Sequence, residues 1–128
     1  MTPFGQRVRD HRDKRGMTLA EMAGVLGVTP AYLSALEHGK RGRPTFTLIQ
    51  GVIHVLGVIW DEADELVRLA DLSHPRVTVD TAGLDPEATL LANRLARDIG
   101  ELEPPDLARL SAVLDEAAAR RNRPGGPA

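Results

Sequence analysis

A chain of 128 residues with 42% hydrophobic residues has room for one ordinary domain, or a small domain with an appendage, around a packed core. It holds no cysteine, which excludes disulfides, thiolate zinc sites and thiol catalysis, and its most apolar run, LIQGVIHVLGVIW over 48–60, is too short to cross a bilayer. The net charge of −2 conceals an asymmetry: residues 1–43 carry eight Lys and Arg against four Asp and Glu, and residues 44–119 five against fourteen, so an anion-binding surface belongs in the first third.

Nearly every segment reads as helix. Thr2-Pro3 suits an N-cap and first helical residue, and FGQRVRDHRDKR carries the first helix to a stop at Gly16. Thr18 caps LAEMAGVL, with Glu21 placed to complete a capping box, and Gly27 ends that helix. Thr29 caps the next, which has Pro30 at its first position and ends at Gly39. Only Gly27 and Val28 separate these two helices, so they must cross steeply. The basic loop GKRGRP follows. Thr45 then opens a fourth helix to Leu56, with Phe46, Ile49, Val52, Ile53 and Leu56 at helical spacing. A fifth is expected over 61–70, where Asp61, Glu62 and Asp64 suit the positive end of the helix dipole.

The segment DLSHPRVTVDTAGLD breaks the pattern. RVTVD alternates like a strand but has no partner, so it reads as linker. Asp85-Pro86 starts a helix with Leu91, Leu95, Ile99 and Leu102 on one face. EPPDLARLSAVLDEAAARR starts another, with Leu107, Leu110, Leu114 and Ala117 as its stripe. The expected organisation is 1–70 a five-helix domain, 71–84 a linker, 85–121 a helical dimerisation or interaction segment, and 122–128 a disordered tail.

Enzyme chemistry finds no footing. The chain has three serines, no Gly-x-Ser-x-Gly, no phosphate loop and no carboxylates clustered across a cleft, and His11, His38, His54 and His74 lack metal-ligand spacing. The expectation is a soluble, cytoplasmic, non-membrane protein with no catalytic residue, metal or cofactor. A small-molecule pocket in a dimer interface stays open as an alternative.

Five short helices, the second and third joined by a minimal turn, resemble the Xre/Cro family of helix-turn-helix regulators. The resemblance runs from Phe4 to Ala70 and rests on Val8, Arg12, Gly16, MTLAEMAGVLGVTPAYLSALEHGK and RPTFTLIQGVIHVLGV. It implies an all-α fold: a five-helix, lambda-repressor-like domain followed here by a short C-terminal helical hairpin. It also implies that the helix over 29–38 enters the major groove of double-stranded DNA. Pro30, Ala31, Tyr32, Ser34 and Ala35 then face the base edges, with Tyr32 alternatively a half-buried core aromatic. Thr18, Thr29, Lys40, Arg41 and Arg43 would meet phosphates, one of the basic residues entering the minor groove. Pro30 and Ala31 offer no side-chain hydrogen bond, which suggests readout through thymine methyls and DNA shape.

The resemblance aligns Arg12 and Glu37 as a structural ion pair between the first and third helices. Leu19 departs from it, since many relatives carry a phosphate-binding Gln there. His11 stands where relatives often place an apolar residue and reads as half-buried filler. The stripe Leu91, Leu95, Ile99, Leu107, Leu110 and Leu114 needs cover, either from a second copy in a homodimeric repressor on a palindromic operator, or from a protein partner such as a toxin or RNA polymerase. The first alternative treats the chain as a transcription repressor, the second as an antitoxin.

Overall fold

A computed structural model describes residues 1–122; the expected disordered tail lies, apart from Asn122, outside the described residues. Among the described residues the chain is helical and has no strand, and it divides into two compact units, Met1–Thr78 and Val79–Ala128.

The first unit holds five helices: α1 (Pro3–Arg15), α2 (Leu19–Leu26), α3 (Pro30–Glu37), α4 (Phe46–Leu56) and α5 (Trp60–Asp71). Four begin on a threonine whose hydroxyl accepts an orphan first-turn amide: Thr2 from Gly5 (3.0 Å), Thr18 from Glu21 (3.1 Å), Thr29 from Tyr32 (3.1 Å) and Thr45 from Leu48 (3.2 Å). At Thr18 only this forward half of the expected capping box forms, with no return bond from the Glu21 carboxylate. Gly27, at φ 74°, closes α2 in the left-handed conformation that L side chains resist, and the chain turns by 107° into α3.

The five helices converge on Phe4, Val8, Met22, Ala23, Leu33, Ile49, Val52, Leu56, Val58, Leu66 and Ala70. Each large member contributes roughly 1.5–3 kcal/mol of transfer free energy. Ser73, also buried, ties the end of α5 to the start of α1. Its Oγ accepts from the Phe4 amide (2.9 Å) and donates to the Leu69 carbonyl (2.5 Å).

Two expectations are corrected here. The fifth helix starts one residue before Asp61, at Trp60, without a side-chain cap. Trp60 is 80% exposed and has φ 54°, a left-handed conformation uncommon for a bulky residue. His11 is fully buried rather than half-buried. Its Nδ1 lies 3.3 Å from Arg15 Nη1 and 3.6 Å from a Glu62 carboxylate oxygen, while Nε2 has no hydrogen-bond partner. Burial lowers the His11 pKa from its ordinary value; Glu62 opposes that shift, and Arg15, Lys14 and Arg7 reinforce it.

The second unit contains α6 (Pro86–Asp98), a 3-10 turn over Ile99–Glu101, and α7 (Pro104–Arg121). Asp85 caps α6 by accepting the Glu87 amide (2.9 Å). At α7 the Glu103 amide donates to Asp106 Oδ2 (3.0 Å), and this bond, with Arg109 adding to it, lowers the Asp106 pKa. The proline pair at 104–105 is accommodated because first-turn amides have no helical acceptor. A notch of about 240 Å³ remains between the two helices, lined by Leu91, Leu95, Ile99 and Leu110 among others, and no described residue of this unit is buried.

Candidate nucleic-acid interface

The position of α3 is set by its ends. At its C-terminus the Glu37 carbonyl accepts from both the amide (2.9 Å) and the hydroxyl (3.1 Å) of Thr2, so the cap of α1 also anchors α3. The same crossing brings Gly5 against Glu37, where an added Cβ would lie 2.1 Å from the Glu37 carbonyl oxygen. Only a residue without a side chain fits there. Beneath this crossing, Arg12 Nη1 donates to Glu37 Oε2 and Nη2 faces Oε1 at 3.4 Å. The two side chains are 7% and 3% exposed, and this fork between α1 and α3 is the ion pair that the resemblance implied.

With its far end held, α3 presents its first turn outward. Thr29, Pro30 and Ala31 are exposed, and Tyr32, Ser34 and Ala35 are half-buried. An open groove of about 860 Å³ flanks the start of the helix, lined by Thr29, Tyr32, Thr45, Thr47 and His54 among others. A second, of about 500 Å³, runs along its other end between Arg9, Thr18, Leu19, Ser34 and His38. Thr18 is exposed; Leu19 is half-buried and packs on the core. His38 is exposed, and its Nδ1 bonds the Ser34 carbonyl at 2.8 Å, which turns Nε2 outward.

The basic loop lies beside this turn. The Arg41 guanidinium sits 5.3 Å from the centre of the Tyr32 ring, a cation–π contact that ties the loop to the helix. Tyr32 is half-buried, and its ring carries Arg41 on one face. Lys40 and Arg41 are exposed and have no ion pair among the described residues, whereas Arg43 is engaged by Asp71. Pro30, Ala31, Tyr32, Ser34 and Ala35 therefore share one short helix with Thr29 at its cap, and Lys40 and Arg41 adjoin it. Arg12 and Glu37 lie beneath.

Two contributors escaped the sequence reading: Gly5 and Asp71. A glycine inside an otherwise helical pattern was the available signal for Gly5. Nothing local marks Asp71, which is 28 residues from its partner. Among the described residues no group of His, Cys, Asp and Glu could hold a metal ion. No single described helix is long and apolar enough to cross a membrane.

A helix-turn-helix domain model matches residues 3–72, more than half of the chain. The chain belongs to the helix-turn-helix family, of the Xre/Cro type. It is 38% identical over 61 residues to the HTH-type transcriptional regulator RghRB of Bacillus subtilis, covering 48% of this chain and 44% of that one. It is 35% identical over 55 residues to the HTH-type transcriptional regulator SinR of the same organism, covering 43% and 50%. The chain spans about half the length of these relatives. A likeness of 38% over 56 residues to the (S)-2-hydroxypropylphosphonic acid epoxidase of Streptomyces wedmorensis takes in 28% of that enzyme. A solved structure of a SinR–SinI protein complex is similar at a TM-score of 0.43 and 25% identity, covering 94% of this chain and 99% of that one.

Proposed function

We propose that the chain is a cytoplasmic, sequence-specific transcription repressor that binds double-stranded DNA as a homodimer. The observation that carries the reading is the juxtaposition of an outward, threonine-capped first turn with a basic pair, Lys40 and Arg41, that has no ion-pair partner among the described residues, on the first unit. Pro30, Ala31, Tyr32, Ser34 and Ala35 meet the base edges. Thr18, Thr29, Lys40, Arg41 and Arg43 meet phosphates, which set register and carry no sequence information. Each phosphate neutralised adds roughly −0.9 to the log–log salt slope. The chemistry is recognition rather than catalysis, and it needs no cofactor.

Residues 1–70 form the reading domain in this account, 71–84 link it, and 85–121 join two copies. Two reading heads then lie about one helical turn apart on a palindromic operator. Selecting binding sites from genomic fragments at fixed salt should enrich a palindrome with that half-site spacing. Enrichment of single, unpaired half-sites would overturn the dimer, and no enrichment would overturn sequence-specific readout. Replacing thymine by uracil in the selected site should weaken binding, because Pro30 and Ala31 have methyl contacts and shape to read with and no side-chain hydrogen bonds.

A second reading is favoured by one observation: Leu91, Ile99, Leu107, Leu110 and Leu114 are exposed. In it those side chains face a protein partner, a toxin in an antitoxin pair or RNA polymerase. Sedimentation separates the two, since a stable dimer of the purified chain supports the homodimer, and a monomer that dimerises at no accessible concentration supports the partner.

A further inference from the structure

Where α5 ends, the chain returns to the basic loop. Beside the buried Ser73 anchor, Pro75 lies 3.7 Å from the place a side chain on Gly39 would occupy. Asp71, the last residue of α5, reaches across to Arg43. Its Oδ1 accepts from Arg43 Nε at 3.0 Å and also from Nη2, while Nη1 donates to the Pro44 carbonyl at 3.2 Å. The Nε/Nη2 edge of a guanidinium is one that can hold two oxygens of a phosphate side by side. Here that edge is filled by a carboxylate, whereas Lys40 and Arg41 next to it carry none.

Both members of the pair are substantially exposed, at 40% for the Arg43 side chain and 58% for Asp71. An ion pair in that setting is weak and exchanges readily. The contrast within the unit is direct: the Arg12–Glu37 fork is buried and cannot be offered to DNA, and the Arg43–Asp71 fork is open to it.

We propose that Asp71 occupies Arg43 in place of a DNA phosphate, an autoinhibitory contact that DNA must displace and that holds the affinity of the basic loop down. The inference rests on the reading above in which the loop grips DNA. On binding, Arg43 exchanges a carboxylate for a phosphate, so part of the electrostatic gain is cancelled and the salt dependence is shallower than the basic residues alone would give.

The test is a titration of the full chain against a fluorescently labelled mixed-sequence DNA duplex over a range of salt, using a probe to which phosphate contacts bind whatever the sequence. Wild type, Asp71→Asn, Arg43→Gln and the double variant are compared, with circular dichroism as the check on folding. Asp71→Asn should bind about two- to five-fold more tightly at low salt, the size of an exposed ion pair no longer given up. Its log–log salt slope should steepen by up to about one. Arg43→Gln should weaken binding, and in its presence Asp71→Asn should have no effect. Unchanged or weaker binding by Asp71→Asn would overturn the proposal, making Asp71 a positioning residue instead. A gain that persists without Arg43 would also overturn it, since bulk charge would then explain the effect. If Arg43→Gln binds like wild type, Arg43 grips no phosphate and the proposal falls, while the loop reading, which rests on Lys40 and Arg41, does not.

Discussion

The two units of this chain solve burial in opposite ways. In Met1–Thr78 twelve hydrophobic side chains and Pro44 are buried, together with an ion pair, a histidine and a serine, and every helix is fastened to at least one other. Among the described residues from Val79 onward none is buried, although α6 and α7 carry apolar stripes as regular as those of α4. Helical periodicity thus says which face wants cover, and it does not say whether the cover lies in the same chain. The first unit covers its apolar faces within the chain; the stripes of the second stay exposed or half-buried among the described residues.

The contrast breaks most visibly at the buried pair. Glu37→Gln leaves the Arg12 guanidinium buried without its counter-charge and should destabilise the first unit on the order of 3–5 kcal/mol, read as a lowered denaturant midpoint by circular dichroism. A loss within error would show that the fork is solvated in solution. Gly5→Ala comes next. Its Cβ would sit 2.1 Å from the Glu37 carbonyl, so α1 must move off α3, at a cost of about 1–3 kcal/mol. The same substitution at Gly100, where an added Cβ meets nothing within 4 Å, should leave the denaturant midpoint within error.

The histidine supplies a smaller effect with a defined sign. Folded His11 binds its proton less readily than the unfolded residue, so below the ordinary value of 6.5 the unfolded state takes up more protons. The stability of the first unit should therefore be full above that pH and fall as the pH is lowered through it. Unfolding curves at about pH 7.5 and pH 5.5 should show the lower midpoint at the lower pH, and His11→Leu should shrink that difference. An undiminished pH dependence in His11→Leu would assign it elsewhere. Smallest of all, Leu110→Asp should leave the midpoint of the first unit unchanged while converting a sedimenting dimer to monomer, because Leu110 is 40% exposed and outside the buried core.

What the sequence made legible follows the range of the forces involved. Caps are local: Thr2, Thr18, Thr29 and Thr45 and the stops at Gly16, Gly27 and Gly57 could be read in order because each acts within four residues. The 107° bend followed from the same signals. The Arg12–Glu37 fork was legible only through a family resemblance, since 25 residues separate its members. Contacts with no such template stayed hidden: Gly5 under Glu37, Ser73 on the Phe4 amide, and Asp71 on Arg43. The start of α5 was misread by one residue because Ile59 and Trp60 carry no capping chemistry, whereas the acidic residues after them do look like a helix start. At the candidate interface the residue types of the reading helix were legible. The coupling of Tyr32 to Arg41, and of Arg43 to an acid, depended on how the loop folds back.

The central claim is that the first turn of α3 reads DNA, and one substitution addresses it directly. Ala31 is exposed on that turn and outside the core, so Ala31→Glu should keep the native circular dichroism spectrum and denaturant midpoint. Titrated at fixed salt against an operator selected by the wild-type chain, Ala31→Glu should lose specific binding, because a carboxylate is driven against the base edges and phosphates. Binding as tight as wild type by a natively folded Ala31→Glu would contradict the account, and some other surface would then be the reader.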